Sequence, residues 1–284
     1  MMRGMYAAIS GLAVHQTMLD VTANNLSNLD TIGYKAQRTT FTDQLAQQLR
    51  APTGSTQTGG GSNPVQVGLG VQLGSIDNMM GQGSMQTTGN VLDIAIQGDG
   101  FFQVGNGNAG ANPPVLPSSY QYTRAGNFTI NSNGYLTTQN GEYVMGQLNA
   151  GPVTAANPET YLKIPPGASG VSVGLNGALS YTDSAGNTQT AGYLSLVSFP
   201  NEAGLSRAGG SMWAATPASG APMTTGSPQT GNLGSTISGA LEQSNVDMAT
   251  EFTNMITAER GFQANSRVMS AADQMLQTIV QMGQ

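Results

Sequence analysis

The sequence predicts an α+β chain: helices at the two termini that pair in coiled-coil-like fashion, an extended β arm, and a mainly antiparallel β domain. Three observations predict it. Met248, Met255, Phe262, Met269 and Leu276 stand seven residues apart near the C-terminus. Met5, Leu12, Leu19 and Leu26 repeat that interval near the N-terminus. Between these stretches, short alternating segments are separated by turns rich in Asn, Asp and Gly. A seven-residue apolar repeat keeps one helix face toward a partner helix, whereas alternation between tight turns marks hairpins.

The first helix runs to about Asn28, with Ala8 and Ile9 widening its stripe and Gly33 supplying the turn beyond. Arg3 before the apolar run 4–14 has the outline of a secretory leader. That run carries Ser10 and two glycines, and its period continues to Leu26, so it is read as a retained helix. The polar cluster 24–28 (NNLSN) can cap the helix or satisfy backbone groups on neighbouring subunits.

Residues 34–50 carry Phe41, Leu45 and Leu49 at near-helical spacing. The Gly/Ser/Thr tract 53–63 reads as a flexible loop, and 65–76 alternates as strands do. A turn-rich stretch at 81–90 marks the base of the β domain. There, 91–104 (VLDIAIQGDGFFQV) reads as two strands around Gly98-Asp99-Gly100. Asn131-Ser132-Asn133-Gly134 is a hairpin turn, and Asp183 to Asn187 closes another. Further strands are expected at 142–148, 161–164, 171–173, 178–181 and 193–199, and 209–239 reads as a Gly/Ser/Thr/Pro-rich return connection.

Asn245 or Asp247 can cap the last helix, and Asp247 and Glu251 suit its positive end. Ala258, Ala272 and Ile279 follow the main repeat three positions on, interrupted by Glu251 and Asn265. The chain thus divides into a terminal helical assembly domain (1–30 with 245–284), a connecting arm and return (31–90 with 210–244), and a β domain (91–209).

Composition narrows the function. Charged residues make up 8% of the 284 residues, the net charge is −6, and nine Lys and Arg are too few and scattered to track phosphates. The surface is therefore polar but nearly uncharged, and copies of the chain repel one another little. There is no cysteine, so disulfides and thiolate chemistry are absent. No apolar run approaches the roughly 18 residues of a membrane span.

Motifs that could carry catalysis fail on context. Gly170-Val171-Ser172-Val173-Gly174 fits a nucleophile elbow, but its surroundings are strand-like and the lone histidine, His15, lies on the first helix. The segment 105–110 fits G-x-G-x-x-G, but Pro113, Pro114 and Pro117 follow where a helix must start. Asp93 and Asp99 lack a third acid for an oxygen cage, and one histidine does not make a metal site. No catalytic, cofactor or metal residues are assigned.

Four stretches carry a resemblance. Residues 23–35 (ANNLSNLDTIGYK), 93–104 (DIAIQGDGFFQV), 123–146 (TRAGNFTINSNGYLTTQNGEYVMG) and 239–282 resemble the motifs of bacterial flagellar rod and hook proteins. The matching positions include Asn24, Asn25, Asn28, Gly33, Tyr34, Gly100, Phe101, Phe102, Asn245, Asp247, Arg260 and Asn265. Residues 63–70 (NPVQVGLG) and 239–267 look more like short hook proteins, although the length also suits a distal rod. The resemblance implies an inner layer of paired terminal helices, an outer β domain, and a self-assembling hollow helical tube that transmits torque as the flagellar hook. It also implies uncleaved export through the type III flagellar apparatus to a position outside the cytoplasmic membrane. Implied neighbours are rod, hook-cap and hook-filament junction proteins, with no nucleic acid and no membrane insertion.

A distal rod subunit is the alternative, and a secreted carbohydrate-binding or adhesive β protein, using Tyr120, Tyr122 and Trp213, a further one. Burial of the repeat against one partner helix falls short of the chain entropy a helix of this length loses. Both ends are therefore expected to be mobile in the monomer and to become helical on assembly.

Overall fold

The computed structural model describes residues 2–54, 60–107, 109, 115–117, 119–154 and 157–282. Residues 55–59 of the flexible tract lie outside them, as do Asn108, Gly110, Pro113 and Pro114 of the G-x-G-x-x-G segment and its trailing prolines. The chain forms two compact units: Met1–Ser27, Gln37–Asn78 and Asp247–Gln284 make the first, and Asn28–Ala36 with Met79–Val246 the second. Of the expected arm and return, 37–78 falls in the first unit, while 31–36, 79–90 and the whole of 210–244 fall in the second.

In the first unit, helix α1 spans Met2–Ser27 and helix α2 spans Met248–Met282. Neither contains proline; Ala and Met recur in both, Leu in α1 and Gln in α2, residues that lose little freedom in a helix. Asp247 caps α2: its carboxylate accepts from the Ala249 amide (3.0 Å) and the Thr250 hydroxyl (2.7 Å). The Thr250 hydroxyl and then the Ala249 amide hold this carboxyl below the ordinary aspartate value. Asn245, the other expected cap, bonds elsewhere, as shown below.

The two helices pack antiparallel. Asn25 meets Glu251, His15 lies against Gly261, Gly11 lies against Asn265, and Met5 shares a groove with Met269 and Leu276. Beside them, strand Gln37–Asp43 pairs with Val71–Asn78 and Ala46–Arg50 with Val65–Gly68, all antiparallel. Phe41, Leu45 and Leu49 thus belong to an extended segment rather than a helix. Their spacing of four residues satisfies a strand, period two, as readily as a helix.

The second unit is built on an antiparallel sheet. Its main path runs Ser169–Val173, Ala178–Thr182, Thr188–Leu194, Tyr143–Gln147, Phe101–Gly105, Gln121–Thr123, Met212–Ala214 and Ser206–Gly209. Both expected hairpins form. The Asn131 carboxamide oxygen accepts from the amides of Asn133 and Tyr135 at 3.0 and 2.9 Å, holding the first turn. In the second, the Asp183 amide donates to the Asn187 carbonyl at 2.9 Å.

The G-x-S-x-G serine, Ser172, lies on the strand Ser169–Val173. The stretch 209–239 is more than a connection: Met212–Ala214, Thr224–Gly226 and Ser235–Ser238 all join ladders. Ladder bonds come from the backbone, so Ser- and Thr-rich segments can supply strands without an apolar pattern.

Successive residues of the central strand point to opposite faces, and both faces are covered. Phe102 enters a core with Ile94, Ile96, Phe128, Val144 and Leu196, and Phe101 enters another with Tyr122, Val197, Phe199, Leu205 and Trp213. Tyr122 and Trp213 are therefore core residues and Tyr120 is half-buried, which removes the aromatic platform a sugar-binding surface would use.

Candidate assembly interface

The helix pair does not bury the residues its repeats single out. On α2 the innermost positions are Glu251, Ala258 and Ala272, and on α1 they are Ala8, Gly11, Val14, Val21, Thr22 and Asn25. Glu251 and Asn265 are thus members of the contact line rather than interruptions of it. Small residues make room for this line. A Cβ on Gly11 would stand 2.5 Å from the Asn265 carboxamide nitrogen, and one on Gly261 would stand 2.5 Å from the His15 ring. The backbones approach so closely that larger side chains are displaced to the flanks.

Met5, Leu12, Leu19, Leu26, Met255, Met269 and Leu276 are half-buried on those flanks. Met248 and Phe262 are exposed at 48% and 38%, joined by Phe252, Ile256, Val268, Met275 and Ile279. Four of these, Met248, Phe252, Ile256 and Phe262, lie within one side of the helix by its 3.6-residue period. Arg260 is exposed.

Asn25 is fully buried and grips its own chain: its Nδ2 donates to the Gln37 carbonyl (2.7 Å) and Glu251 Oε1 (3.1 Å), and its Oδ1 accepts from the Gln37 amide (2.9 Å). Asn24 is exposed, and the Asn28 side chain accepts from the Thr31 hydroxyl at 3.1 Å. Burial, opposed by the bond from Asn25, holds the Glu251 carboxyl above the ordinary glutamate value.

The remaining motif residues converge in the second unit. Gly33 has φ +67°, and a Cβ there would meet the Ala125 amide at 2.6 Å, so only glycine fits. Its amide donates to the Glu242 carbonyl at 2.9 Å. Asn245 accepts from the Ala36 amide at 2.7 Å and donates to the Met79 and Gly81 carbonyls at 2.7 and 3.0 Å. Tyr34 is buried beneath Arg207, whose guanidinium lies 4.6 Å from its ring and 4.9 Å from that of Trp213. Gly100, Phe101 and Phe102 are buried, and Phe101 lies 5.0 Å from the guanidinium of Arg124.

A charge cluster that the sequence reading did not single out sits among these residues. Lys35 Nζ donates to Glu242 Oε1 at 2.6 Å and to the Gly81 carbonyl at 3.0 Å. Arg124 Nη1 reaches Glu242 Oε2 at 3.5 Å, and the Gly83 amide donates to Glu242 Oε1 at 2.8 Å. All three side chains are buried, and that burial lowers the Lys35 pKa against the pull of Glu242. Each comes from a different one of the stretches 23–35, 123–146 and 239–282. Nothing in the local pattern around any of them announces the meeting.

Among the described residues no cluster of three or more His, Asp or Glu could hold a metal ion, and no helix is long and apolar enough to cross a membrane.

Comparison with known proteins adds the identity. Residues 5–35 match the family described as "Flagella basal body rod protein", 95–181 "Flagellar hook protein FlgE/F/G D1 domain", and 237–282 "Flagellar basal body rod FlgEFG protein C-terminal". The flagellar basal-body rod protein FlgG of Bacillus subtilis is 39% identical over 99% of this chain and 98% of its own length. That of Caulobacter vibrioides is 35% identical over 99% of both. The chain belongs to the flagellar rod and hook protein family. The flagellar hook protein FlgE of Borreliella burgdorferi, also 39% identical, aligns with only 51% of this chain and 31% of its own length. Members of the rod and hook family are structural subunits of the flagellar axis rather than enzymes.

Proposed function

We propose that the chain is a subunit of the distal rod, the drive shaft of the flagellar basal body. It polymerises with copies of itself into a hollow helical tube through its terminal helices. The end-to-end agreement with rod proteins carries this reading against the partial agreement with a hook protein, and it reverses the preference drawn from 63–70 and 239–267. The flanks of α1 and α2 are the surface offered to sister subunits, because they leave Met248, Phe252, Ile256 and Phe262 in water. About half of each side chain is already covered, so burying the remainder against neighbours supplies roughly 1 kcal/mol each. A charged content of 8% lets neighbouring subunits pack closely without strong repulsion. Other rod proteins, the hook and the export apparatus are the partners this placement brings.

Gold-labelled antibody on detached basal bodies tests the placement. Label on the rod, on the cell side of the outer rings, is the expected result. Label beyond those rings would make the chain a hook subunit, and an unlabelled axis would remove both readings.

A further inference from the structure

The repeats of the two helices and their observed packing disagree by a rotation. The most regular apolar line of α2 runs through Met248, Met255, Phe262, Met269 and Leu276, yet the contact line runs three residues later, through Glu251, Ala258, Asn265 and Ala272. Three residues of α-helix turn the contact face by about 60°. In an isolated pair, rolling the helices back by that angle would bury Met255 and Phe262 and return Glu251 and Asn265 to water. Burial of large apolar groups favours that rolled arrangement, and desolvation of a carboxylate opposes the observed one. Something must therefore hold the helices in the orientation seen.

We propose that Asn25 and Glu251 are positioning residues that lock this rotation and so keep the large apolar side chains facing outward. Asn25 is tied to the strand beside it, because its carboxamide exchanges two hydrogen bonds with the Gln37 backbone, at 2.7 and 2.9 Å, as a neighbouring strand residue would. That pairing fixes how α1 is turned. The bond from Asn25 Nδ2 to Glu251 Oε1 then fixes α2, across a contact where Asn25 is fully buried and Glu251 is 8% exposed. Gly11 and Gly261 accommodate this rotation, since a Cβ at either would stand 2.5 Å from the Asn265 or His15 side chain. The lock therefore sets an assembly surface rather than stabilising the monomer. Its value to the polymer rests on the distal-rod reading, but its geometry does not.

The test uses the full-length chain, whose lack of cysteine gives a clean background for thiol labelling. Two reporters are made separately, Phe262→Cys on the outward flank and Ala258→Cys in the contact line, each with and without Glu251→Ala. In the parent background Cys at 262 reacts fast with a maleimide and Cys at 258 slowly, matching exposures of 38% and 0%.

Breaking the lock should invert the order, protecting 262 by about tenfold and exposing 258. Glu251→Gln, which still accepts from Asn25, should restore the parent pattern. Unchanged rates would mean that the rotation is held elsewhere. Fast reaction at both positions would mean that Glu251 merely stabilises the helix pair. Either result overturns the proposal. All rates are read on monomer, so a failure here is separate from any failure to polymerise.

Discussion

Glu242 is the carboxylate shared by two cations, Lys35 and Arg124, that water does not reach. Glu242→Gln keeps the shape and the hydrogen-bonding oxygen but leaves Lys35 and Arg124 uncompensated in the second unit. Removing one member of a buried charge group costs about 3–5 kcal/mol. The urea midpoint of the second unit, followed by the buried Trp213, should fall accordingly with an unchanged slope. A midpoint equal to the parent's would mean that the cluster is open to water in solution.

Glu251 makes the opposite kind of prediction. Its folded carboxyl lies above the ordinary value of 4.5, so the folded state holds the proton more tightly than the unfolded chain does. Stability from this group is fully present below that ordinary value and is lost as pH rises through the raised one. Asp247 runs the other way, since its stability is present above its ordinary value of 3.8 and lost as pH falls. The difference between the parent and Glu251→Gln isolates Glu251. The variant should be the more stable at neutral pH, and its advantage should shrink toward pH 4; a gap that stays constant with pH would refute this.

Residues were the level at which the sequence was hardest to read. Lys35, Arg124 and Glu242 each lie in a stretch singled out by resemblance, but their partnership depends on the fold bringing three distant segments together.

At the level of elements, both terminal helices and both Asn/Asp-Gly hairpins were legible, because period and turn chemistry are local. The face that α2 turns inward was not. A seven-residue repeat fixes the interval between contacts but is equally compatible with a line through Met255 or one through Ala258, and glycine at 11 and 261 makes room for the second. Segment 34–50 was ambiguous for the same kind of reason, since a four-residue spacing fits strand and helix alike.

This packing also bears on how firmly the helices are held. A contact line of Ala, Gly and polar side chains buries little apolar surface, and no described residue beyond Ala272 is buried, so the last turns of α2 should open readily in a dilute monomer. Hydrogen exchange should be fast through 273–282 in the monomer and slow in the polymer, while Ile94–Gln97 and Phe101–Gly105 stay protected in both. Protection throughout α2 in the monomer would show that the helix pair needs no neighbours.

For the molecule as a whole, the two units divide the work. The second closes its own core around Phe101 and Phe102 and gathers the motif residues of 28–36 and 240–245 about a buried charge cluster. The first leaves its apolar flanks in water, and under the proposed assembly sister subunits cover them. The direct test replaces Met255 and Phe262 with Ser and images the protein by electron microscopy at a concentration where the parent forms tubes. The predicted result is no tubes, with the near-ultraviolet signal of the second unit unchanged; tubes of normal length and diameter from that variant would contradict assembly through the helix flanks.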